Sequence, residues 1–450
     1  MVDSDVNREA AAGNAASQTA VTTARQLRLT LISSVVGTAL EWYDFYLYGT
    51  AAALIFNHLF FPQLSPLSGT LAAFASYGVG FLVRPLGGLF WGYIGDKYGR
   101  RPVLIGTLVL MGVSTTAIGL LPGYGSIGFA APLLLTLLRL LQGFGAGAEF
   151  SSAITLNAEK APAHRRGYYA SWSGVGIGCG VLLSASAFAL AQQLPQASFI
   201  AWGWRIPFLL SILAVLVGGA IRLYVTESPI FNKLEQRHQL ARAPFITVWQ
   251  TQRRHFFVAL GARMAENTAG FFLQVWSLSY VTQTLHVPNV VPVTGVLLGS
   301  GIGCITIPLF GALSDRIGRK PVYIGGAILF GVGMFPYFWL LNTGNPLLII
   351  LAMIAMIAMI ALANYSMFSV QAAYFAELFN SATRVTAISM SREISSIFAG
   401  GLAPIIASSL LLWSNGNYAA VAWYMVALSV ITVVALCYGP ETRGCSLDDH

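Results

Sequence analysis

Seventeen consecutive apolar residues run from Leu347 to Ala363. The run continues through Asn364 and Tyr365 into a further apolar stretch. It is too long for a buried strand, and as a helix it nearly crosses a hydrocarbon core by itself, which takes about 20 apolar residues. Comparable stretches recur along the 450-residue chain. In the first half they cover about 29–57, 68–94, 102–121, 129–156, 168–192 and 203–225. In the second they cover about 254–283, 291–314, 321–341, 346–376, 383–412 and 418–438. A soluble domain carries roughly 25% charged residues. Here 9% are charged and 56% are hydrophobic, so a soluble surface is excluded and a lipid-facing one is required. Gly and Pro inside the stretches are no objection, because membrane helices tolerate both.

The basic residues fix the topology. Arg8, Arg25 and Arg28 precede the first span. Lys97, Arg100 and Arg101 follow the second, and Lys160, Arg165 and Arg166 follow the fourth. Arg222, Lys233, Arg237, Arg242, Arg253 and Arg254 lie in or beside the central loop. Arg316, Arg319 and Lys320 follow the eighth, Arg384 follows the tenth, and Arg443 lies in the last segment. These are 20 of the 25 basic residues, and the alternate loops hold none. The bias is the positive-inside pattern, which puts both termini in the cytoplasm. The net charge of +8 is therefore topology, with anionic lipid headgroups at the cytoplasmic face as partner and no nucleic acid. The expected organisation is a disordered cytoplasmic tail at 1–26, a six-helix bundle at 27–225, a cytoplasmic loop at 226–252, a second bundle at 253–438 and a cytoplasmic tail at 439–450. The polar first residues have no signal-peptide pattern, so the first span is expected to act as an uncleaved insertion signal.

The halves repeat. Gly92-x-x-Gly-Asp96-Lys-x-Gly99-Arg100-Arg101 returns as Gly311-x-x-Ser-Asp315-Arg-x-Gly318-Arg319-Lys320, and Glu159 with Arg166 returns as Glu377 with Arg384. YVTESP from Tyr224 is echoed by YGPET from Tyr438. The offsets are nearly constant, which indicates duplicated halves related by an axis along the membrane normal. No GxxxxGK[ST] loop occurs, which argues against a nucleotide-driven pump. No HExxH and no Cys/His cluster occurs, so neither a metal nor another cofactor is expected. Cys179, Cys304, Cys437 and Cys445 have no ligand spacing and read as free thiols. No nucleophile–base set stands out, so the chain is not expected to be an enzyme.

Ionisable groups inside spans cost several kcal/mol unless they are paired or reach water, so each is a functional candidate. Glu41 and Asp44 are three apart on one helix face, with Tyr48 four further on. Their mutual repulsion would raise one pKa toward proton uptake; the alternative is a structural ion pair. Arg139 and Gln142 share a face of span four, where Arg139 could grip a carboxylate with two prongs, that of a solute or of Asp44. Glu149, ten residues on, is a second proton candidate. Arg263, Glu266, Asn267 and Gln274 form one polar stripe on span seven. Arg263 there is either a solute ligand or neutralised by Glu266. Asn364 and Gln371 share a face of span ten and suit either hydroxyl recognition or interhelical hydrogen bonds. Arg84 in span two is either cavity-lining or packed. Trp276 and Tyr280 could stack on a solute ring, although most aromatics here read as packing or interface belts. Asp96 and Asp315, among Arg100, Arg101, Arg319 and Lys320, sit at helix ends. They can cap the next helix or pair with basic neighbours across the halves, forming latches that break on inward opening.

The paired Gly-x-x-x-Asp-[Arg/Lys]-x-Gly-Arg-[Arg/Lys] loops resemble the signature of the major facilitator superfamily over about residues 27–443. A narrower resemblance, to its metabolite:proton symporter family, rests on four motifs. They are Glu41-Trp-Tyr-Asp44-Phe, Arg84-Pro-Leu-Gly-Gly, Arg139-x-x-Gln142-Gly143-Phe with Glu149, and Trp202-Gly-Trp-Arg205-Ile-Pro-Phe208. Residues 68–88 and 306–324 are similar to shikimate-carrying members. The resemblance implies an all-α membrane protein of 12 transmembrane helices, two six-helix bundles related by a pseudo-two-fold axis. It also implies proton-driven symport of a small polar organic acid, shikimate-like, in a bacterial inner membrane, by a monomer. Other members carry 2-oxoglutarate, citrate, or proline and betaine. One departure is Arg392-Glu393 in span eleven, uncharged in shikimate-type members; Arg392 joins the candidate solute ligands and leaves the exact solute open. A non-transporting sensor on the same fold would need an added signalling segment, and the tails here are short.

Overall fold

The computed structural model describes residues 2–288 and 290–447, with side chains from residue 24 onward apart from 53, 54, 66, 67, 70, 275 and 283. Twelve long helices organise it. In the first half they are α1 (Val2–Leu54), α2 (Pro66–Tyr98), α3 (Arg100–Leu120), α4 (Ala130–Lys160), α5 (Arg166–Ala191) and α6 (Arg205–Leu223). In the second they are α7 (Arg253–Phe271, carried on by helical turns to Thr284), α8 (Val290–Ile317), α9 (Arg319–Leu341), α10 (Pro346–Leu378), α11 (Arg384–Trp413) and α12 (Ala419–Tyr438). Among the described residues, ten helices are long and apolar enough to cross a membrane. The other two, α1 and α7, are the ones that carry Glu41 with Asp44 and Arg263 with Glu266, so their mean hydropathy falls.

The surface is that of a lipid-embedded molecule. Leu71, Leu82, Leu86, Ile305, Leu309 and Ile354 are exposed, whereas Glu41, Asp44, Arg139, Glu149, Arg263 and Arg392 are buried. Helices satisfy their own backbone groups, which lipid cannot do. What remains for the interior is to match polar side chains to one another.

The halves are α1–α6 and α7–α12. They meet through two equivalent helix pairs, α2 against α11 and α5 against α8. Each half is knit by the same contacts, α3 on α6 and α9 on α12. Between α2 and α4 the backbones touch: a Cβ at Gly143 would run into the carbonyl of Gly80. Small residues at such crossings let membrane helices approach closely.

The long helices are not uniform. Wide helical turns at Phe272–Trp276, Met359–Asn364 and Ile397–Gly401 interrupt the courses of α7, α10 and α11. Such turns leave backbone groups outside the regular ladder and cluster at functional sites. In α4 the regular helix breaks at Gly147 and Ala148.

The segments outside the bundles carry helix as well. Residues 2–26 are the start of α1, and seven alanines in that stretch favour helix. The 226–252 segment is not a plain loop, because it folds into the short helices Pro229–Gln236 and Pro244–Thr251. The Ser228 hydroxyl caps the first, accepting from the backbone N–H groups of Ile230 and Phe231 at 3.2 and 3.3 Å, and Pro starts both. Of the expected C-terminal tail, residues 448–450 lie outside the described residues.

Gly143→Ala is expected to force α2 and α4 apart. Overpacking of this kind costs about 1–3 kcal/mol. The check is a lower melting temperature of the detergent-solubilised protein, and an unchanged value would contradict the crossing.

Candidate functional site

Six buried charged side chains meet where α1, α2, α7 and α11 converge. Arg84 on α2 donates from Nη2 to Glu41 on α1 at 2.7 Å and from Nε to Glu393 on α11 at 2.6 Å. It therefore ties the two halves together. Glu393 lies 4.0 Å from Nε of its neighbour Arg392. Arg392 donates to Gln371 on α10 at 2.7 Å, and Gln371 donates in turn to Glu266 on α7 and to Tyr323, each at 3.0 Å. Arg263 pairs with Glu266 at 3.3 Å and donates to Asn267 at 3.2 Å. Three guanidiniums face three carboxylates, so the cluster is neutral as a whole.

A small cavity of about 20 Å³ opens onto this cluster, lined by Glu41, Arg84, Arg263, Asn267, Arg392 and Ser396 and walled by Trp42, Phe45, Phe81 and Phe271. That is room for about one water. Several polar atoms around it have no hydrogen-bond partner: Nη1 of Arg263, Nδ2 of Asn267, Nε of Arg392 and Oε2 of Glu41. A buried orphan of this kind costs about 1–3 kcal/mol, more when charged. The arrangement offers donors from α7 and α11 and an acceptor from α1 to anything that enters between them.

Beside it, Asp44 accepts from Thr115 Oγ1 at 2.6 Å and from Ser211 Oγ at 3.1 Å. It has no ion pair among the described residues. Gln142 donates to the same Thr115 at 2.7 Å and accepts a short hydrogen bond from Arg139. Arg139 also lacks an ion pair among the described residues. Its guanidinium lies 4.6, 4.7 and 5.2 Å from the ring centres of Tyr48, Tyr77 and Phe45. Asp44 and Arg139 thus belong to one relay, joined through Gln142 and Thr115, without touching. Glu149, by contrast, is closely paired with Arg222 on α6 and bonded by Thr107. A void shared by Glu149, Asp44 and Glu41 runs between them.

The end of the molecule that carries the signature loops is shut by a symmetric set of bonds. Asp96 accepts from the backbone N–H groups of Val385 and Thr386 at 3.0 and 2.9 Å. Asp315 accepts from those of Gly167 and Tyr168, each at 2.8 Å. Each aspartate therefore caps a helix of the opposite half, α11 and α5 respectively, where the positive end of the helix dipole favours a carboxylate. Glu159 pairs with Arg100 of its own half at 3.1 Å and with Arg384 of the other at 2.6 Å. Glu377 pairs likewise with Arg319 at 2.9 Å and Arg166 at 3.2 Å. The helices that follow the signature loops are capped by other residues. Glu227 accepts from the backbone of Arg100 and Arg101, each at 3.0 Å, and Glu441 from that of Arg319 and Lys320 at 2.9 and 3.0 Å. Gly99 and Gly318, at φ of 105° and 108°, make the turns that bring those N–H groups round; glycine reaches that region without strain. Partial burial works to raise the Glu441 pKa, but four backbone N–H groups outweigh it and hold the carboxyl below its ordinary value.

The sequence-predicted residues thus separate. Glu41, Arg84, Arg263, Asn267 and Arg392 meet at the cavity. Gln371 and Glu266 support it from behind. Asp44, Arg139 and Gln142 form the neighbouring relay. Tyr48 does not reach the cavity: its hydroxyl shares a hydrogen bond with Ser76 at 2.7 Å and its ring backs Arg139. Gln274 accepts a short bond from Tyr46, and Asn364 lies beside Gly270. Neither lines the cavity. Trp276 and Tyr280 stack on each other at 5.1 Å, and Trp276 donates to Ser408 at 2.9 Å, so they pack the second half. Asp96 and Asp315 cap across the halves, not onto the next helix, and Arg101 and Lys320 bond within their own halves to Leu223 O and Gly439 O. Sequence reasoning missed Glu393 as a cross-half partner, and it placed Arg222 at the border of the central loop when the residue is buried against Glu149. The unpaired charges Arg84 in span two and Glu149 in span four were the available signals.

Two helical bundles that meet over a buried, orphan-rich cavity, with one end latched shut, make a membrane transporter. The family model for the sugar (and other) transporters matches residues 29–252, and that for the major facilitator superfamily matches residues 293–446. The shikimate transporter of Escherichia coli K12 is 39% identical over 411 residues, covering 90% of this chain and 93% of the relative. The proline/betaine transporter of the same strain is 34% identical over 421 residues, covering 91% and 82%. The proton:xylose symporter XylE bound to 6-bromo-6-deoxy-D-glucose superposes with a TM-score of 0.80 at 18% identity, covering 95% of this chain and 98% of that one. The inward-open form of the E. coli xylose transporter gives 0.62 at 20% identity, covering 94% and 98%. The chain belongs to the major facilitator superfamily.

Asp96→Asn removes the carboxylate charge from the α11 cap. Bonds to charged groups contribute about 1.5–3 kcal/mol, so hydrogen exchange at the first turn of α11 is expected to accelerate roughly tenfold or more. An unchanged exchange rate would sink the capping role.

Proposed function

We propose that this transporter carries a small hydroxylated organic acid together with a proton, by alternating access. The observation that supports it is the orphan set at the cavity. Arg263, Asn267 and Arg392 present donors without acceptors, the complement of a carboxylate with neighbouring hydroxyls. Because the cluster is already neutral, an entering anion adds one negative charge. A proton taken up by a buried carboxylate restores neutrality and removes the penalty of moving an anion against an inside-negative potential, about 2.3 kcal/mol per charge per 100 mV.

Asp44 is the proton carrier in this reading. It is held by two hydroxyls and, among the described residues, by no cation, so either protonation state can be accommodated without breaking an ion pair. Glu149, tied to Arg222, is a structural pair. In this reading the protein lies in a bacterial inner membrane with both termini cytoplasmic, which the positive-inside bias supports, and its basic loops lie against anionic headgroups. The latched end is then the cytoplasmic one, and its rupture admits the solute to the cell.

A second reading, a zwitterion such as proline or betaine, has one observation in its favour: Trp42, Phe45, Phe81 and Phe271 wall the cavity, and aromatic faces attract quaternary ammonium groups. Three guanidiniums at the same cavity oppose it.

Purified protein in liposomes with an inside-alkaline gradient is expected to accumulate labelled shikimate and to lose accumulation when the gradient is collapsed. Accumulation indifferent to the gradient would refute proton coupling, and preferential accumulation of betaine would establish the second reading. Asp44→Asn is expected to abolish gradient-driven accumulation while keeping solute exchange. Arg263→Lys is expected to raise the KM for the acid roughly tenfold, because a lysine cannot reproduce the two-pronged grip.

A further inference from the structure

Glu393 has no counterpart in the relay around Asp44 and does not itself line the cavity. It stands behind the cavity wall, between Arg84 of one half and Arg392 of the other, at 2.6 and 4.0 Å, and is 1% exposed. Arg84 and Arg392 do line the cavity. With Arg263 they present three positive charges to it, against the single carboxylate of Glu41.

The charges behind the wall set what that face can accept. Glu266 answers Arg263, and Gln371 links it to Arg392. Glu393 is the remaining counter-charge. Without it, Arg84 would keep only Glu41 and Arg392 would lose its nearest carboxylate. The cavity would then carry one uncompensated positive charge. A buried uncompensated charge is strongly unfavourable, and a second carboxylate on the solute would relieve it.

We infer that Glu393 is the specificity-determining residue for solute charge: it holds the site to monocarboxylates and excludes dicarboxylates. The inference rests on the organic-acid reading and names the class within it. Glu393 acts as a built-in second carboxylate: from behind the wall it already neutralises the positive charge that the far carboxylate of a diacid would need. A monoacid brings one charge and leaves the Arg84–Glu393 bond intact. A diacid must compete with that bond and lose.

The test compares shikimate, a monocarboxylate, with succinate, a dicarboxylate, as competitors of labelled shikimate uptake in proteoliposomes. Wild-type protein is expected to prefer shikimate. Glu393→Gln is expected to shift the succinate-to-shikimate ratio of inhibition constants by at least roughly tenfold toward succinate, the size of about 1.4 kcal/mol. Glu393→Asp keeps the charge and is expected to keep the wild-type ratio. Arg392→Gln removes a cation and is expected to move the ratio the other way, which preserves the test if Glu393→Gln does not fold. A purely structural role would lower uptake of both acids and leave the ratio fixed, and that result would overturn the inference alone. Wild-type vesicles that take up neither acid would instead overturn the organic-acid reading.

Discussion

Charge held within lipid persists only where a counter-charge is in reach. The interior of this protein is organised by that requirement. Arg84 is held by Glu41 and Glu393, Arg222 by Glu149, and Arg263 by Glu266. Each of these pairs joins two different helices, or two turns of one, so meeting the electrostatic need also fixes which helices lie side by side. Asp44 and Arg139 are the exceptions. They are satisfied by hydroxyls, an amide and aromatic rings, with no ion pair among the described residues.

The signature-loop end and the centre of the structure use the same chemistry differently. At the signature-loop end the bonds come in matched sets: Asp96 with Asp315, Glu159 with Glu377, Glu227 with Glu441. The symmetry follows from duplication, and it suits a latch in which each half must hold and release the other. At the centre the symmetry is lost. The first half supplies Glu41 and Arg84, and the second supplies Arg263, Glu266, Arg392 and Glu393.

The two regions are mechanically linked. α11 carries Glu393 at the cavity and is capped at its N-terminus by Asp96 from the other half. α2 carries Arg84 at the cavity and Asp96 at its end. The same helix pair therefore holds both the central tie and the cross-half cap. The wide turns in α7 and α11 directly follow the lining residues Phe271 and Ser396, where backbone groups free of the regular ladder allow local bending.

The sequence alone determined the helical spans, their alternation and the duplication. Hydrophobic length and the placement of Lys and Arg are local properties, and lipid leaves the backbone one way to satisfy itself. It also marked Glu41, Arg84, Arg139, Arg263 and Arg392 as buried charges needing an explanation. It could not say which would pair with which. That depends on the rotation of each helix and on which helices meet, so Asp44 fell beside Thr115 and Ser211 and not Arg139, and Glu393 reached across 309 residues of sequence to Arg84. Tyr48 shares a helix face with Asp44 yet turns to Ser76, because α2 packs there. The cross-half capping by Asp96 and Asp315 was beyond the sequence for the same reason: a cap is made by whatever helix end tertiary packing brings within hydrogen-bond reach.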